Sequence, residues 1–380
     1  MRKALVGALV ICCTIPEASQ AQSSVYGILG LGFPGRPIGT RTRAGGGGMA
    51  MFDARSVLNP ATAAGFQRIS VAVVSGTTLR NYTVLDSTVE GLSDTRSPIG
   101  LIGGSLRRTP VSFALSYSTY LERTYDLFTE DTVVIRNEPI AVTDRISEDG
   151  AVVDIRGALG VRVNSWLSVG GAVHVLSGSS KRSTQRDFSS PDYFRVLDTD
   201  RLTFSGLGFS AGVLASLDPR LTVAAAIRSD GKLDTGLDSS TVGQFDLPLS
   251  YAAGLTIVPV PAVRLATTAI RTTWSGVSAD LAAIGGANAF DHTWDIGTGV
   301  ELGGSSRSGR VPLLLGFRYA QLPFSPTLEQ PTEMSFSGGT NFVFASGRVL
   351  FDLSVERILR DGGRAEERAW YLSFSLTVSP

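Results

Sequence analysis

Apolar and polar residues alternate with a period of two in many separate segments of the chain. The last segment is the clearest, because Trp370, Leu372 and Leu376 fall on one face of an extended chain while Ser373 and Ser375 fall on the other. Successive side chains of a strand point to opposite faces of its sheet. The pattern therefore predicts strands that have one apolar and one polar face.

Fourteen segments share this pattern, and most are close to the roughly 9–11 residues that a tilted strand needs to cross a bilayer. The sequence therefore predicts an all-β fold, a transmembrane antiparallel β-barrel of about 14 strands. The predicted strands are 66–75, 98–106, 111–121, 151–163, 166–177, 202–216, 220–228, 248–258, 262–273, 292–302, 311–321, 333–344, 348–358 and 369–378.

The predicted connections between these strands alternate in length. Short turns, such as 164–165 and 217–219, alternate with long polar segments, such as 76–97, 122–150 and 178–201. Outer-membrane barrels combine short periplasmic turns with long extracellular loops. Closure of the barrel also removes the unpaired strand edges that lipid cannot solvate. We therefore expect residues 66–380 to form a barrel in the bacterial outer membrane.

The residues before the first predicted strand divide into two parts. Residues 1–21 contain Arg2 and Lys3, then an uninterrupted apolar run, then small residues before a cleavage point after Ala21, which is typical of a signal peptide. Residues 22–65 are rich in glycine, which permits close backbone packing and positive φ. We predict that they form a hatch packed inside the barrel.

Composition excludes several classes of protein. The 34 basic and 34 acidic residues balance, so there is no electrostatic case for binding nucleic acid. Both cysteines, Cys12 and Cys13, fall in the predicted signal peptide, which leaves none for a disulfide or a thiolate metal site. After the signal peptide no apolar run reaches 18 residues, which excludes helical membrane spans.

A motif in the glycine-rich segment resembles the N-terminal hatch of the FadL family of outer-membrane transport proteins. The family's pattern contains a Gly-Met pair, an aspartate-bearing stretch and Asn-Pro-Ala. The chain departs from it where Ala50 and Met51 replace two glycines and where a pair of aspartates is reduced to one. The matching residues are Gly48, Met49, Asp53, Asn59, Pro60 and Ala61.

The resemblance implies a fourteen-stranded barrel that is plugged by its N-terminus. It also implies passive uptake of hydrophobic small molecules, such as long-chain fatty acids or aromatic hydrocarbons, and their release sideways into the lipid through a gap at a kinked third strand. The third predicted strand, 111–121, contains neither glycine nor proline, so the sequence does not predict a kink there. We expect a monomer that contacts a hydrophobic ligand, outer-membrane lipid and lipopolysaccharide.

Three other interpretations stay open at this point. Barrels of the PorV type share the Asn-Pro-Ala hatch but do not transport, and serve a secretion system or a surface assembly. A structural or adhesive barrel would act through its surface loops. A general porin would require an unplugged lumen and usually forms a trimer.

Transport would require an apolar cavity beneath the long loops. The aromatic residues of those loops, Phe188, Tyr193, Phe194 and Phe245, are the predicted walls. Arginine pairs bidentately with carboxylates, so Arg318, on a polar strand face, is the candidate for binding an acidic ligand. Such arginines have a second interpretation, a buried charge network that joins the hatch to the barrel wall.

No motif for catalysis, a cofactor or a metal stands out. Residues 30–35 match G-x-G-x-x-G, but the strand and helix that a dinucleotide site needs are not predicted around them. His174 falls on a polar strand face, which predicts that it faces the lumen, and His292 opens a strand. We found no compelling serine-histidine-acid arrangement and predict that the protein is not an enzyme. Four aspartates share the loop 178–201 and would suit Ca²⁺, although a solvated loop is the simpler interpretation: Asp187, Asp192, Asp198 and Asp200.

Overall fold

A computed structural model describes residues 24–28, 30–84, 87–106, 109–237, 240–283, 288–303 and 311–379. The predicted signal peptide, residues 1–21, lies outside these ranges. Within the described ranges, the chain is built mainly of β-strands.

Fourteen of the described strands form one closed antiparallel barrel, in which successive strands are neighbours. The ring closes between the first and the last strand, where Val71 pairs with Val378 and Val84 with Ala365. The predicted fold is therefore confirmed. The barrel strands are β1 (Ser70–Val84), β2 (Ser87–Ser105), β3 (Val111–Glu122), β4 (Glu138–Arg162), β5 (Leu167–Phe188), β6 (Val196–Asp218), β7 (Leu221–Ser229), β8 (Leu249–Val260), β9 (Val263–Thr273), β10 (His292–Leu302), β11 (Leu313–Gln321), β12 (Thr332–Phe344), β13 (Val349–Asp361) and β14 (Ala365–Val378).

Alternation of side chains gives the barrel an apolar outside and a polar inside. In β14, Trp370 and Leu372 are about half exposed on the outer face, whereas Ser373 and Ser375 are buried. The inward hydroxyls bond to each other, as where Ser354 and Ser373 lie 2.7 Å apart. The apolar outer face can contact lipid without the cost of burying an unpaired polar group. The inner polar groups find hydrogen-bond partners within the protein.

At one end of the barrel, which we call the long-hairpin end, the strands extend beyond the length that a bilayer needs. β4, β5 and β6 contain 25, 22 and 23 residues. Most of 76–97 and 178–201 belongs to paired strands, so the prediction of loops there is wrong. Polar residues such as Thr77 and Thr95 stand on an exposed face of these extensions, so the continuous apolar face that reveals a strand is missing from their sequence.

Smaller elements surround the long-hairpin end. The strand Tyr125–Ile135 pairs with the first part of β4, and a hairpin of Lys232–Leu237 and Ser240–Asp246 pairs with β6. A helix, which we call α2 (Ser275–Ala283), follows β9. Two short strands, Asn288–Ala289 and Phe324–Ser325, pair with each other. The opposite, short-turn end has compact connections, including the 3-10 turn Ala345–Gly347.

Before β1, the chain contains short elements: a 3-10 turn Val25–Gly27, a strand Phe33–Pro34, helix α1 (Thr40–Ala44) and a 3-10 helix Pro60–Gly65. Helix α1 contacts β11 to β14, whereas the 3-10 helix contacts β2 to β6. The segment thus touches opposite parts of the ring. No helix in the described ranges has the length and hydropathy required to cross a membrane.

Candidate functional site

Four arginines of the N-terminal segment bind carboxylates of the barrel wall. Arg36 and Arg43 both donate to the fully buried Glu356, at 2.6 and 2.9 Å. Arg41 donates to Glu301 at 2.6 Å and Arg55 to Asp352 at 2.9 Å. Burial lowers the pKa of Arg36 to about 10 despite its contact with Glu356. The interpretation of the lumen charges as a network between the N-terminal segment and the wall agrees with these contacts.

Glycines of the segment lie directly against glycines of the wall. A Cβ on Gly316 of β11 would lie 2.0 Å from the nitrogen of Gly46, and one on Gly299 of β10 would lie 2.3 Å from the oxygen of Gly45. Gly46 has a φ of +62°, which side chains disfavour. Gly48, from the hatch motif, binds through its carbonyl oxygen to the hydroxyl of Thr268 at 2.8 Å.

The Asn-Pro-Ala motif caps the 3-10 helix Pro60–Gly65. The side chain of Asn59 accepts from Ala61 N at 3.0 Å and donates to the carbonyls of Met51 and Val213. Pro60 occupies the first position of the helix, where its missing N–H costs nothing. The helix packs on a glycine-lined patch of wall, formed by Gly160, Gly170 and Gly212.

The remaining hatch-motif residues, Met49 and Asp53, organise the turn after the glycines. The carbonyl of Met49 accepts from Phe52 N at 3.0 Å. Asp53 accepts from Arg55 Nε at 3.1 Å and from the Thr42 hydroxyl at 3.1 Å. Burial alone would raise the pKa of Asp53, but the guanidinium groups of Arg55 and Arg41 hold it below its usual value.

A cavity of about 330 Å³ lies above this network, towards the long-hairpin end. Its lining is mixed: apolar side chains such as Leu121, Ile270 and Trp274 face arginines and carboxylates. The size suits a small organic molecule. Among the lining residues are seven arginines and six acidic side chains: Arg36, Arg43, Arg80, Arg96, Arg228, Arg318, Arg360, Asp94, Glu122, Asp154, Asp230, Asp295 and Glu333.

A cluster of buried apolar side chains covers the cavity on the long-hairpin side, and we call it the cap cluster. Helix α2 contributes Val277 and Leu281, and neighbouring elements contribute the other members, Leu31, Leu121, Val152, Leu176, Phe204, Leu233, Trp274 and Phe324. Trp274 and Phe324 meet edge to face with ring centroids 5.4 Å apart. The prediction of a polar loop over 274–291 is therefore wrong where helix α2 lies.

The predicted ligand residues are not all brought together. Phe188 and Tyr193 contact each other, with ring centroids 5.4 Å apart, at the outer end of the long hairpins. Phe194 is 93% exposed. Phe245 packs against the cap cluster. Of the five candidates, Arg318 alone is among the cavity-lining residues, and its guanidinium binds Asp295 at 2.7 and 2.9 Å and also Glu333.

The barrel wall is split between β2 and β3, and the split opens beside the cavity. Pairing of these strands runs from Ser105↔Ser112 to Ile99↔Ser118 and ends there. Pro98 follows at the next position of β2, where it has no N–H to donate to a ladder. The unpaired edge of β3 instead binds the N-terminal segment, through Phe33–Pro34.

The sequence signal for the split lies on the second strand, at Pro98, and not on the third, where the family resemblance implies a kink. β3 does carry a bulge, since Thr119 and Leu121 pair with consecutive residues of β4 and Tyr120 is extra. Pro98 was available as a marker, because a proline inside a strand removes a ladder hydrogen bond.

Both edges of the split, together with the segment 33–36, line the cavity. The cavity therefore reaches the wall of the barrel at this point.

A chain of hydrogen bonds runs from the split into the wall. The Tyr120 hydroxyl donates to Asp230 at 3.0 Å, and Arg228 bridges Asp230 and Asp154. His174 follows, with Nδ1 2.9 Å from Asp154 and Nε2 2.8 Å from the Ser210 hydroxyl. His174 is buried on the lumen face, as predicted, while His292 is exposed.

No compelling serine-histidine-acid arrangement is evident in the sequence, yet the structure brings Asp154, His174 and Ser210 together in that order. Ser210 is 8% exposed, and it is not among the residues that line the cavity. A molecule in the cavity therefore does not reach its hydroxyl. The three residues act as an internal hydrogen-bonded network in this arrangement.

Comparison with known proteins gives one family match and several structural ones. The sequence profile of the BamG family matches residues 1–245. No curated protein matches the chain significantly.

The fold is similar to the crystal structure of a Pseudomonas aeruginosa FadL homologue, at a TM-score of 0.62 and 14% identity over 92% of this chain and 99% of that one. It is similar to the Ralstonia pickettii toluene transporter TbuX (TM-score 0.58, 15% identity, 90% and 98% covered) and to the P. putida toluene transporter TodX (0.56, 14%, 91% and 99%). These likenesses concern the fold.

Proposed function

This chain belongs to the BamG family, and from its barrel fold and the cavity inside the barrel we propose that it is an outer-membrane channel for the passive uptake of hydrophobic small molecules. The observation that carries the proposal is the cavity inside the barrel, which is covered by the cap cluster and reaches the split. The cavity has the volume of a small-molecule site, and apolar side chains such as Leu121, Ile270 and Trp274 form part of its lining. The resemblance to proteins named as toluene transporters supports the same function.

The proposed route has three parts. A solute enters from the long-hairpin end, past the half-buried Phe188 and Tyr193 and the exposed Phe194, which would provide its first apolar contacts. It then crosses the cap cluster near Phe245 and binds in the cavity, where Arg318 and its neighbours form the polar wall. We propose that residues 22–65 act as a hatch that closes the short-turn end.

Exit would then take place sideways through the split between β2 and β3. Three observations support this path: the strands part at Ile99 and Ser118, both edges line the cavity, and the lipid-facing side of the wall is apolar there, with Tyr117 45% exposed. A solute that leaves into the lipid does not have to pass the ion pairs below the cavity.

Filling the cavity tests the proposal. Ala252 of β8 lines the cavity and Ala253, its neighbour, faces outward. We expect Ala252→Phe to reduce uptake and Ala253→Phe to leave it unchanged, because one side chain occupies the cavity and the other meets lipid. Uptake of a panel of fatty acids and aromatic hydrocarbons is measured in cells that carry each variant. Equal uptake in wild-type cells and cells without the protein would overturn the proposal.

A second candidate function is that of a PorV-type barrel, which does not transport and serves a secretion system or a surface assembly. The observation that favours it is the sheet that projects at the long-hairpin end, where Phe194, Val134 and Leu197 are 93%, 69% and 61% exposed. Exposed apolar side chains of this kind are typical of contact surfaces. Normal uptake combined with a secretion or assembly defect in cells lacking the protein would favour this function.

A further inference from the structure

We propose that the ion pair between Arg96 and Glu122 is a latch that holds the split in the barrel wall closed, an inference that rests on the proposed uptake function. Arg96 lies in β2 and Glu122 in β3, on the two sides of the split, and both line the cavity. Arg96 Nε lies 2.8 Å from Glu122 Oε1. This contact spans the part of the wall where backbone pairing between the two strands is missing.

The contact is built so that it can open. The Nε hydrogen of Arg96 is donated to Asp94, at 2.5 Å, so its attraction to Glu122 is ionic and carries no hydrogen bond of its own. The two side chains keep 29% and 17% of their exposure. Glu122 Oε1 is buried and accepts no hydrogen bond from the described residues, so the pair is a poorly satisfied contact, and breaking it leaves Arg96 still bound to Asp94.

The other contacts of the split hold β3 more firmly than β2. The unpaired edge of β3 binds the N-terminal segment, where Gly35 N donates to Tyr120 O at 2.8 Å. The Tyr120 hydroxyl is held by Asp230. On the other side, residues 87–96 of β2 pair with β1 only, among the described pairings, and Leu92 packs in a buried cluster with the N-terminal segment. No described backbone pairing joins this part of β2 to β3, so release of the latch allows it to move away from β3.

The latch predicts an order among variants. Glu122→Gln removes the attraction, and Arg96→Gln also leaves Asp94 and Glu122 to repel each other. Arg96→Lys keeps the positive charge. We therefore expect opening to increase from wild type and Arg96→Lys, through Glu122→Gln, to Arg96→Gln. The matched control is Arg145→Gln, which removes an ion pair at 2.6 Å between Arg145 and Asp126, in the projecting sheet.

The experiment measures opening of the split directly. Residues 14–380 contain no cysteine, so a cysteine introduced by Thr119→Cys, at the edge of β3, is a unique label site in that part of the chain. The full-length protein is reconstituted in phospholipid vesicles and treated with a lipid-soluble maleimide. Uptake of a neutral probe, toluene, is measured for the same charge variants in cells.

We expect Glu122→Gln to raise the labelling rate at position 119 by about fivefold, since a partly exposed ion pair shifts a two-state equilibrium by factors of this order. Arg145→Gln leaves the rate unchanged. Equal labelling in wild type, Glu122→Gln and Arg96→Gln would overturn the latch. If labelling rises as expected but no variant takes up toluene, the latch stands as a closure of the wall and the uptake function fails.

Discussion

Gly46 and Gly316 touch backbone to backbone, since a Cβ on Gly316 would lie 2.0 Å from the nitrogen of Gly46. The contact joins the N-terminal segment to β11. Its two sides are both main chain, which cannot move aside as a flexible side chain does. Gly46 also needs its positive φ of +62°. Glycine is therefore required on both sides of this contact.

We expect Gly316→Ala to destabilise the protein by on the order of 3 kcal/mol or to prevent its assembly, because the added methyl group forces the segment away from the wall. Gly157→Ala is the matched control, since nothing lies within 4 Å of a Cβ at Gly157. The measurement is the urea midpoint of the purified barrel in detergent. Similar midpoints for the two variants would contradict the close contact.

Glu356 accepts hydrogen bonds from both Arg36 and Arg43, so the loss of its charge leaves two buried guanidinium groups without an anionic partner. We expect Glu356→Gln to destabilise the segment by about 3–5 kcal/mol, the usual cost of leaving a buried charge without its partner. The expected result is faster trypsin cleavage after Arg41, Arg43 and Arg55. Glu366→Gln, which removes an exposed pair with Arg368, is the control. An unchanged cleavage pattern in Glu356→Gln would show that other contacts hold the segment.

Pro98 stands at the point where β2 and β3 part. We expect Pro98→Ala to extend the ladder past Ile99 and Ser118, because the new N–H can donate to β3. The split becomes narrower, and uptake of toluene falls several-fold. Amide exchange at residues 95–97 is compared in the two proteins, with slower exchange in the variant as the expected result. Faster uptake in this variant would mean that the proline does not maintain the split.

Because the pKa of Asp53 is lowered, the stability of the folded N-terminal segment depends on pH in the acid range. A carboxyl group whose pKa is lower in the folded than in the unfolded protein stabilises the fold above its unfolded pKa, about 3.9. That stabilisation is lost as the pH falls through the folded value.

We therefore expect Asp53→Asn to lower the melting temperature at pH 7 and to lower it less below about pH 4. Calorimetry of both proteins in detergent from pH 7 to pH 3 provides the test. A melting difference that is independent of pH would exclude this role of the carboxylate.

The sequence reveals strands best where one face meets lipid and the other meets polar groups. Trp370, Leu372 and Ser373 illustrate this, and β14 extends over the predicted segment. The hairpin of β1 and β2 was predicted as a loop beyond residue 75. Residues such as Thr77 and Thr95, which hydrogen-bond to each other in the hairpin, are polar and lie on a solvent-exposed face. Alternation there carries no hydrophobic signal.

The candidate site was only partly predictable. Asn59 and Pro60 revealed the segment that packs on the wall, since capping is a local property that short motifs encode. The cavity depends on contacts between distant residues, and the chain from Tyr120 to Ser210 joins five strands, β3 to β7. No local pattern encodes such a chain. Pro98 is the exception, a single residue whose chemistry marked the split in advance.

The separation between Arg36 and Glu356, 320 residues, sets an order on assembly. The guanidinium groups of the first part of the chain emerge long before the carboxylates of β13 that neutralise them. A nascent barrel that lacks its last two strands has no anchor for Arg36 or Arg43, and β1, which already pairs with β2, has no partner on its other edge. Arg41 and the 3-10 helix can bind earlier strands, but the binding of Arg36 and Arg43 and the sealing of the seam both wait for the C-terminal hairpin.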